Sequence, residues 1–206
     1  MRPRLSILTS LWNQPERIVR TLDSIPRRDD IEVLVWDDAS TDESLAVVEK
    51  YKAAHPELNI KIFKNDENHG CAYTANRLHE AATGEYFHYL DCDDYLYTDE
   101  YNKALNMVDG EDVVYFNLKV NDGMVLALTP DSKMGLCSPI SRFIRTDFAV
   151  GAKLREDRKA DGDWFFNLEI MERNPKEKFT GITAYHYDFP REGSLYWRLS
   201  HGQLSE

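Results

Sequence analysis

Glycine does not occur before Gly70 in this chain of 206 residues. A dinucleotide-binding enzyme of the Rossmann type needs a G-x-G-x-x-G turn directly after its first strand, and a P-loop enzyme needs G-x-x-x-x-G-K-[ST]. Neither pattern is present in the sequence. These absences exclude the two commonest glycine-rich ways of holding a nucleotide phosphate.

Cysteine and long apolar runs are also scarce. The three cysteines stand far apart and without C-x-x-C spacing, at Cys71, Cys92 and Cys137. An odd and dispersed set predicts neither a disulfide framework nor a zinc site, so we expect a reducing, cytoplasmic setting. No stretch approaches the roughly 18 apolar residues of a membrane span, and the sequence predicts neither an anchor nor a targeting segment.

Positive charge is in the minority, because 25 Lys and Arg face 36 Asp and Glu for a net charge of −11. This excess repels nucleic acid and anionic lipid at long range, so broad binding to either is not expected. One stretch departs from the rule, since basic residues outnumber acidic ones over residues 142–159. It predicts either a solvated loop or a binding site for an anionic partner, such as a phosphorylated lipid-linked glycan or modified DNA.

The length and the 42% hydrophobic content are sufficient for a single domain over residues 1–206. Short apolar runs alternate with helical patterns through the first 120 residues, which favours an α/β fold with a mostly parallel central sheet flanked by helices. Strands are predicted at 5–9, 31–36, 59–63 and 85–90. Helices are predicted at 15–25, 42–54, 70–84 and 99–108.

The second half of the chain predicts a change in the sheet. Apolar runs at 112–116 and 124–128 flank Asn121-Asp122-Gly123, a favoured hairpin turn, so the sheet becomes mixed there. Further on, the pattern predicts helices at 140–147 and 163–173 and a strand near 179–187. We expect the last residues to form a polar tail.

Polar and acidic residues follow three of the predicted strands. In open α/β sheets ligands collect at the carboxyl ends of the strands, so these residues form a candidate site. The edge of the sheet at which these strands end is called the rim below. Three segments are predicted to meet there, namely Thr9 to Asn13, Asp37 to Asp42, and Asp91-Cys92-Asp93-Asp94.

The acidic run from Asp91 to Asp94 predicts a metal site. Three carboxylates within four residues repel one another unless a cation lies between them. Oxygen ligands without a nearby histidine or thiolate pair suit Mg²⁺ or Mn²⁺, and such ions keep positions open for phosphate oxygens. The run therefore indicates a diphosphate substrate.

Each segment also has an ordinary structural interpretation. The residues from Asp37 to Asp42 could cap the next helix through Ser40 or Asp42, and the run at 91–94 could be a solvated turn. Cys92 within that run is expected to be a small filler and not a ligand. It is the meeting of three such segments on one rim that favours a functional site.

These residues resemble the family 2 glycosyltransferases, which have the GT-A fold and use nucleotide-diphosphate sugars. The resemblance covers about residues 5–195, and the second and fourth of its blocks are specific together. The blocks are Thr9 to Asn13, Val35 to Asp42, Asn68-His69-Gly70 through Asn76 to Tyr86, Tyr89 to Asp94, and the weaker Asp161-Gly162-Asp163-Trp164-Phe165. It implies a nucleotide-sugar-binding half over about 1–120, an acceptor-side half over about 121–195 and a tail at 196–206.

The resemblance also implies roles on the donor side. Thr9 and Trp12 would line the base of a UDP-linked donor, and Asp38 would contact the base or the ribose. Asn13 and Asn76 belong to the first and third blocks and would line the same nucleotide-sugar site.

The metal and the reaction follow from the same resemblance. Asp91 would face the ribose and donor sugar, while Asp93, with Asp91 and Asp94 beside it, would bind the Mn²⁺ or Mg²⁺ that bridges the diphosphate. Asp163 would be the general base for the acceptor hydroxyl, with Asp161 as the fallback. Attack opposite the leaving group would invert the anomeric centre.

The chain departs from the family pattern near its candidate base, where Gly162 stands in place of the usual Glu. Asp163 has a second interpretation as the N-cap of helix 164–173, where the helix dipole would lower its basicity. In the third block Ala75-Asn76 stands where the family often has Arg-Asn, with Arg77 one place later, which weakens the case for a phosphate contact from that arginine.

Near the C-terminus His186 is a candidate metal or diphosphate ligand, and Arg191 is a candidate diphosphate contact. A strand histidine and a solvated turn arginine are the structural alternatives.

Two further functions compete with the glycosyltransferase hypothesis. A sugar-nucleotide pyrophosphorylase would need a glycine-rich basic loop after the first strand, which is missing. A non-catalytic nucleotide-sugar-binding module would have lost its base, and Gly162 prompts this alternative. The expected partners are a nucleotide-sugar donor and a glycan, lipid-linked or other hydroxyl acceptor.

Overall fold

The computed structural model of the protein describes residues 2–129, 138–158 and 162–192. Predictions for Asp161, Cys137 and the tail at 196–206 lie outside these ranges. The described chain forms a nine-stranded sheet with helices against it. No helix in these three ranges combines the length and the apolar character that a membrane crossing requires.

The first half of the chain alternates strands and helices, as predicted. In order these are β1 (Leu5–Leu11), α1 (Pro15–Asp23), β2 (Ile31–Asp37), α2 (Ser44–Ala54), β3 (Asn59–Lys64), α3 (Cys71–Ala81) and β4 (Tyr86–Tyr89). The strands lie side by side in the order β3-β2-β1-β4, and each neighbouring pair is parallel. The predicted elements are confirmed to within a few residues.

The second half makes the sheet mixed. Its elements are β5 (Tyr95–Leu96), α4 (Thr98–Asn106), β6 (Val113–Val120), β7 (Val125–Leu126), β8 (Arg142–Arg145), α5 (Gly162–Glu172) and β9 (Glu177–Tyr187). Beyond β4 the sheet continues as β8-β6-β9-β5, with only the β6–β9 pair parallel along this path.

The predicted hairpin around residues 121–123 is confirmed. Strands β6 and β7 pair antiparallel, and the amide of Val120 donates to the carbonyl of Met124 at 3.0 Å. The predicted helix at 140–147 is wrong, because this stretch forms a short 3₁₀ turn at Pro139–Ser141 and then β8. Strand β8 fills the gap between β4 and β6, where Phe143 and Ile144 are buried. Tertiary pairing has overridden a helical apolar pattern.

The register of the parallel strands creates the rim. Leu11 pairs with Asp37 and Leu8 pairs with Tyr89, so β1, β2 and β4 end at the same edge of the sheet. Helix α1 begins with Pro15, as the sequence predicts, and buries Ile18 and Leu22. The polar segments that follow β1, β2 and β4 therefore meet above a closed apolar core.

Candidate functional site

The acidic run follows β4 and is anchored by its last member. Asp94 is buried, and its two carboxylate oxygens accept hydrogen bonds from the Tyr185 hydroxyl at 2.6 Å and the Asp188 amide at 2.8 Å. Burial, then the charges of Asp91 and Asp93, raises the pKa of Asp94 well above its ordinary value. Asp94 thus ties the run to the end of β9, and this geometry does not favour the metal-ligand role predicted for it.

Asp91 lies close to other acidic side chains. Burial, followed by repulsion from Asp93 and Asp163, raises the pKa of Asp91 to about 7. Asp163 belongs to α5, more than 70 residues further along the chain. The candidate metal ligands and the candidate base are therefore brought into the same site.

Asp163 stands in the first turn of α5 and not before it. Its Oδ1 accepts a hydrogen bond from the amide of the next residue, Trp164, at 2.9 Å, which is not the bond to the second or third helical amide that defines an N-cap. The neighbouring Gly162 is explained by a close approach, since a Cβ there would lie 2.8 Å from the carbonyl oxygen of Arg155. A glutamate at this position would require the loop containing Arg155 to move.

The structure brings Asp93 and Arg191 together. The Arg191 guanidinium forms an ion pair with the Asp93 carboxylate, and both side chains are mostly buried. The sequence predicts a metal for the first residue and a diphosphate for the second. In this structure the guanidinium supplies the positive charge beside Asp93.

The chemistry of the donor set fits a divalent metal ion. The described residues contain no cluster of three or more His, Cys, Asp or Glu side chains arranged to hold one. Asp91 and Asp93 nevertheless supply two oxygen-bearing side chains, and Mg²⁺-type ions are commonly held by one or two carboxylates together with substrate phosphates and water. A cation here would also relieve the repulsion that raises the pKa of Asp91.

Asp38 organises the loop between β3 and α3. Its Oδ1 accepts from the Asn65 side chain at 2.7 Å and the His69 amide at 2.9 Å, and its Oδ2 accepts from the Gly70 amide at 2.8 Å.

The side chain of Thr9 is fully buried and its hydroxyl has no hydrogen-bond partner among the described residues. The predicted contacts of Asp38 and Thr9 with the nucleotide stay predictions, and Thr9 would need the rim to open.

Trp12 and Asn13 lie at the mouth of the rim. Trp12 is 44% exposed, which leaves its indole available to a planar ligand. Asn13 has a positive φ of 51°, and its Oδ1 accepts from the Thr41 amide at 2.9 Å. Asn13 thereby joins the segments after β1 and β2, and its predicted nucleotide contact is untested.

Asn76 serves a different part of the molecule. Its buried amide donates to the Leu154 carbonyl at 3.0 Å and accepts from the Leu154 amide at 2.9 Å. A third bond joins it to Glu156 at 2.8 Å. These bonds fasten α3 to the loop that approaches Gly162, so this geometry does not favour the nucleotide contact predicted for Asn76.

His186 uses both of its ring nitrogens within the fold. Nδ1 lies 3.0 Å from the Tyr97 hydroxyl and Nε2 lies 2.9 Å from Oδ1 of Asn121. The ring is stacked on Tyr95, and burial lowers its pKa. This arrangement leaves no nitrogen for a metal, and it does not favour the predicted ligand role.

The basic stretch at 142–159 does not form one cationic surface over its described residues. Arg142 is buried, with its guanidinium over the Tyr115 ring. Three others form ion pairs, Arg145 with Asp112, Lys153 with Glu80, and Arg155 with Asp157. A different cationic pair, Arg17 and Arg20 on α1, was not predicted as part of the site. Both pair with Asp188, and Arg20 also donates to the Asp93 carbonyl in the acidic run. Their i, i+3 spacing was the available signal.

The chain matches the family model described as Glycosyl transferase family 2 over residues 6–171 and belongs to that family. It is 30% identical over 210 residues to the poly(ribitol-phosphate) beta-N-acetylglucosaminyltransferase TarS of Staphylococcus aureus, a match that covers 92% of this chain and 36% of that protein. It is 27% identical to the teichoic acid poly(glycerol phosphate) polymerase of Staphylococcus epidermidis, covering 98% and 30% of the two chains. The chain thus spans about a third of the length of these relatives.

Solved structures show the same fold. The TarS 1–349 fragment in complex with UDP-GlcNAc superposes with a TM-score of 0.81 at 24% identity, over 93% of this chain and 60% of that one. The mannosyltransferase PcManGT of Pyrobaculum calidifontis, in complex with GDP-Man and Mn²⁺, gives a TM-score of 0.75 at 21% identity, over 98% and 62%. The predicted GT-A fold is confirmed.

Proposed function

We propose that the protein is an inverting glycosyltransferase that moves a sugar from a UDP-linked donor to an acceptor hydroxyl. The observation that carries the proposal is the gathering of Asp91, Asp93 and Asp163 at the carboxyl ends of the strands, which raises the pKa of Asp91 to about 7. A transferase of this kind needs, in one site, groups that hold the metal and diphosphate of the donor and a general base for the acceptor hydroxyl. The three carboxylates supply both.

Asp163 is the proposed base. It takes the proton from the acceptor hydroxyl as that oxygen attacks the anomeric carbon, and the bond from this carbon to the diphosphate breaks. General base catalysis of this kind contributes about 10²–10⁴ in rate. Attack from the face opposite the diphosphate inverts the anomeric carbon.

Asp93 and Asp91 are the proposed holders of Mn²⁺ or Mg²⁺, which when bound supplies Lewis-acid neutralisation of the charge on the departing diphosphate. Arg191 pairs with Asp93 in this structure and is the proposed diphosphate contact. Its guanidinium would exchange the carboxylate for phosphate oxygens when the donor binds, since it forms bidentate bonds to either anion. Trp12 is proposed to line the nucleobase of the donor.

Relatives support the choice of substrates. The structures of TarS and PcManGT contain UDP-GlcNAc and GDP-Man, which supports a nucleotide-sugar donor. The curated relatives are named for poly(ribitol-phosphate) and poly(glycerol phosphate), which supports a polyol-phosphate polymer as the acceptor. We therefore infer a role in the synthesis of such a polymer.

The substitution Asp163→Asn tests the reaction. We expect kcat for sugar transfer to fall by about 10²–10⁴, because the base is lost, while the Kd of the donor and the melting temperature stay close to those of the wild type. Asp99→Asn is the matched control, since Asp99 also lies in the first turn of a helix but is exposed on α4. An unchanged kcat in D163N would rule out the assignment of the base.

A thermal-shift series identifies the donor. Nucleotide sugars are compared with and without MnCl₂, and a true donor stabilises the folded state according to its concentration and Kd. Strong stabilisation with neither sugar transfer nor donor hydrolysis would instead favour the non-catalytic binding module.

A further inference from the structure

Three guanidinium groups converge on one carboxylate oxygen beside the acidic run. Oδ2 of Asp188 lies 3.8 Å from Nε of Arg17, 3.5 Å from Nη2 of Arg20 and 3.7 Å from Nε of Arg191. Each guanidinium carries five N–H donors, so a single oxygen can satisfy only a small part of their capacity. The three arginines and Asp188 are called the arginine cluster below.

Asp188 is held firmly at the centre of this cluster. Its backbone amide donates to Oδ1 of Asp94 at 2.8 Å, and its own Oδ1 accepts from the Asn121 side chain at 2.9 Å. Asn121 is held in turn by His186 at 2.9 Å. The predicted metal ligand His186 therefore helps to position the arginine cluster.

Helix α1 is fixed against the acidic run, which sets the arginines in place. The Thr21 hydroxyl lies 2.6 Å from the Asp94 carbonyl, and Nη2 of Arg20 donates to the Asp93 carbonyl at 2.6 Å. The Arg20 guanidinium also lies over the Tyr95 ring at 4.9 Å. The side chains of Arg17 and Arg20 nevertheless remain 39% and 46% exposed, so a ligand can reach them.

The distances indicate that the cluster can accept another anion. Separations of 3.5–3.8 Å to Asp188 are longer than the roughly 2.7–2.9 Å of charge-assisted hydrogen bonds. Asp188 is therefore a weak competitor for these donors. A phosphate group carries three or more acceptor oxygens and matches the planar fork of arginine.

We propose that Arg17 and Arg20, together with Arg191, form a binding site for a phosphate-ester group of a substrate next to Asp93. The inference rests on the proposed function, which supplies two substrates with this chemistry. One is the diphosphate of the donor, and the other is a phosphodiester of a polyol-phosphate acceptor. Either would bring phosphate oxygens to guanidinium donors that Asp188 meets only at 3.5–3.8 Å.

The double variant R17Q/R20Q tests the site by direct binding. Titration calorimetry at low and high salt uses three probes: uridine, UDP with MnCl₂, and a short glycerol-phosphate oligomer. We expect roughly tenfold weaker binding of at least one phosphate probe and a shallower dependence on salt, with uridine unchanged. Loss for the oligomer alone assigns the site to the acceptor, and loss for UDP assigns it to the donor.

The control is K50Q/K52Q, which removes the same charge from exposed positions of α2. Phosphate probes that bind R17Q/R20Q as tightly as they bind K50Q/K52Q overturn the proposal, as does a wild type that binds neither phosphate probe. Because Arg20 also contacts the Asp93 backbone, R17Q alone is measured too, and we expect a smaller loss of the same kind. Binding is read without turnover, so a protein that fails to transfer sugar still answers the question.

Discussion

Glu32 is fully buried and Asp91 is half-buried at opposite edges of the same sheet, and their pKa values move in opposite directions. Burial alone would raise the pKa of Glu32, but hydrogen bonds from Lys61, Ser6 and Thr83 lower it overall. Burial also raises the pKa of Asp91, and the neighbouring charges of Asp93 and Asp163 raise it further. At the amino edge, where the parallel strands begin, the buried negative charge is compensated by groups of the same chain. At the carboxyl edge, where these strands end, there is more negative charge than the neighbouring groups neutralise.

The contrast between Glu32 and Asp91 distinguishes a charged residue that stabilises the fold from one whose charge is proposed to be neutralised by a ligand. Glu32 accepts 2.7 Å bonds from Lys61 and the Thr83 amide and a 2.5 Å bond from Ser6, so it joins β1, β2, β3 and the segment before β4. Among the described residues the Asp91 carboxylate has no comparable set of hydrogen bonds, and its repulsion from neighbouring carboxylates lowers stability in a way that a bound cation would remove. Buried charge without internal compensation is typical of functional sites.

The largest expected effect comes from removing the main predicted metal ligand. We expect Asp93→Asn to lower Mn²⁺-stimulated transfer by about a thousandfold, since neutralising charge on a leaving group accounts for several kcal/mol of the barrier. Initial rates measured against MnCl₂ concentration check this, with D99N as the control. Mn²⁺ stimulation that survives in D93N would mean that the carboxyl edge does not need a cation at this residue.

Glu32→Gln tests the other edge of the sheet. We expect the free energy of unfolding to fall by about 3 kcal/mol at pH 7, because Lys61 and its neighbours lose a buried anionic partner. The folded-state pKa of Glu32 is lowered, so its contribution is complete above about pH 5, begins to fall below the ordinary glutamate pKa of about 4.3, and is lost as the pH falls through the lowered folded-state pKa. Urea unfolding at pH 7 and pH 4 should therefore show a smaller difference from the wild type at pH 4.

Glu49→Gln is the control for that measurement, because Glu49 is exposed on α2 and should change stability by less than about 0.5 kcal/mol. If E32Q were as stable as E49Q, the hydrogen bonds at the amino edge would not be what compensates the buried charge.

A smaller effect of opposite sign is expected from Asp91→Asn. The pKa of Asp91 is raised to about 7, so the folded state is penalised as the pH rises from about 4 through 7. The variant carries no such charge, and we expect it to be more stable than the wild type by about 1 to 2 kcal/mol at pH 8 and by less at pH 5. The same variant should bind donor and metal less tightly, and a loss of stability at pH 8 would contradict the proposed repulsion.

The sequence was sufficient to predict the first half of the fold and the position of the rim. Apolar runs and helix-start residues such as Pro15 are local signals, and parallel strands place their carboxyl ends together without further information. The helix predicted at 140–147 is wrong because the periodicity of an apolar, arginine-bearing stretch does not reveal which strands it pairs with. Its conformation is set by Phe87 and Val113 on the neighbouring strands.

The partners of individual side chains were beyond the sequence. Asp94, Asn76 and His186 have residue types that suit a ligand, but each is bonded to a segment at least 65 residues away in the chain. Likewise nothing in the local pattern brings Arg17 to Asp188. Such contacts depend on how loops meet after the sheet has formed, so residue type alone overstates the number of ligand-binding groups.

The smallest effect distinguishes a ligand from a positioning residue at the border of the rim. We expect His186→Gln to lower the melting temperature by a few degrees, because the bonds to Tyr97 and Asn121 are disturbed, and to leave the MnCl₂ concentration for half-maximal transfer within about twofold of the wild type. A lost metal ligand would instead raise that concentration by at least about tenfold. Tyr97→Phe is the matched control, since it removes the hydroxyl that contacts Nδ1 and leaves the ring in place. If H186Q but not Y97F raised the MnCl₂ concentration for half-maximal transfer, His186 would belong with Asp93 among the proposed metal ligands. The part of the sheet whose negative charge depends on a bound cation would then include β9.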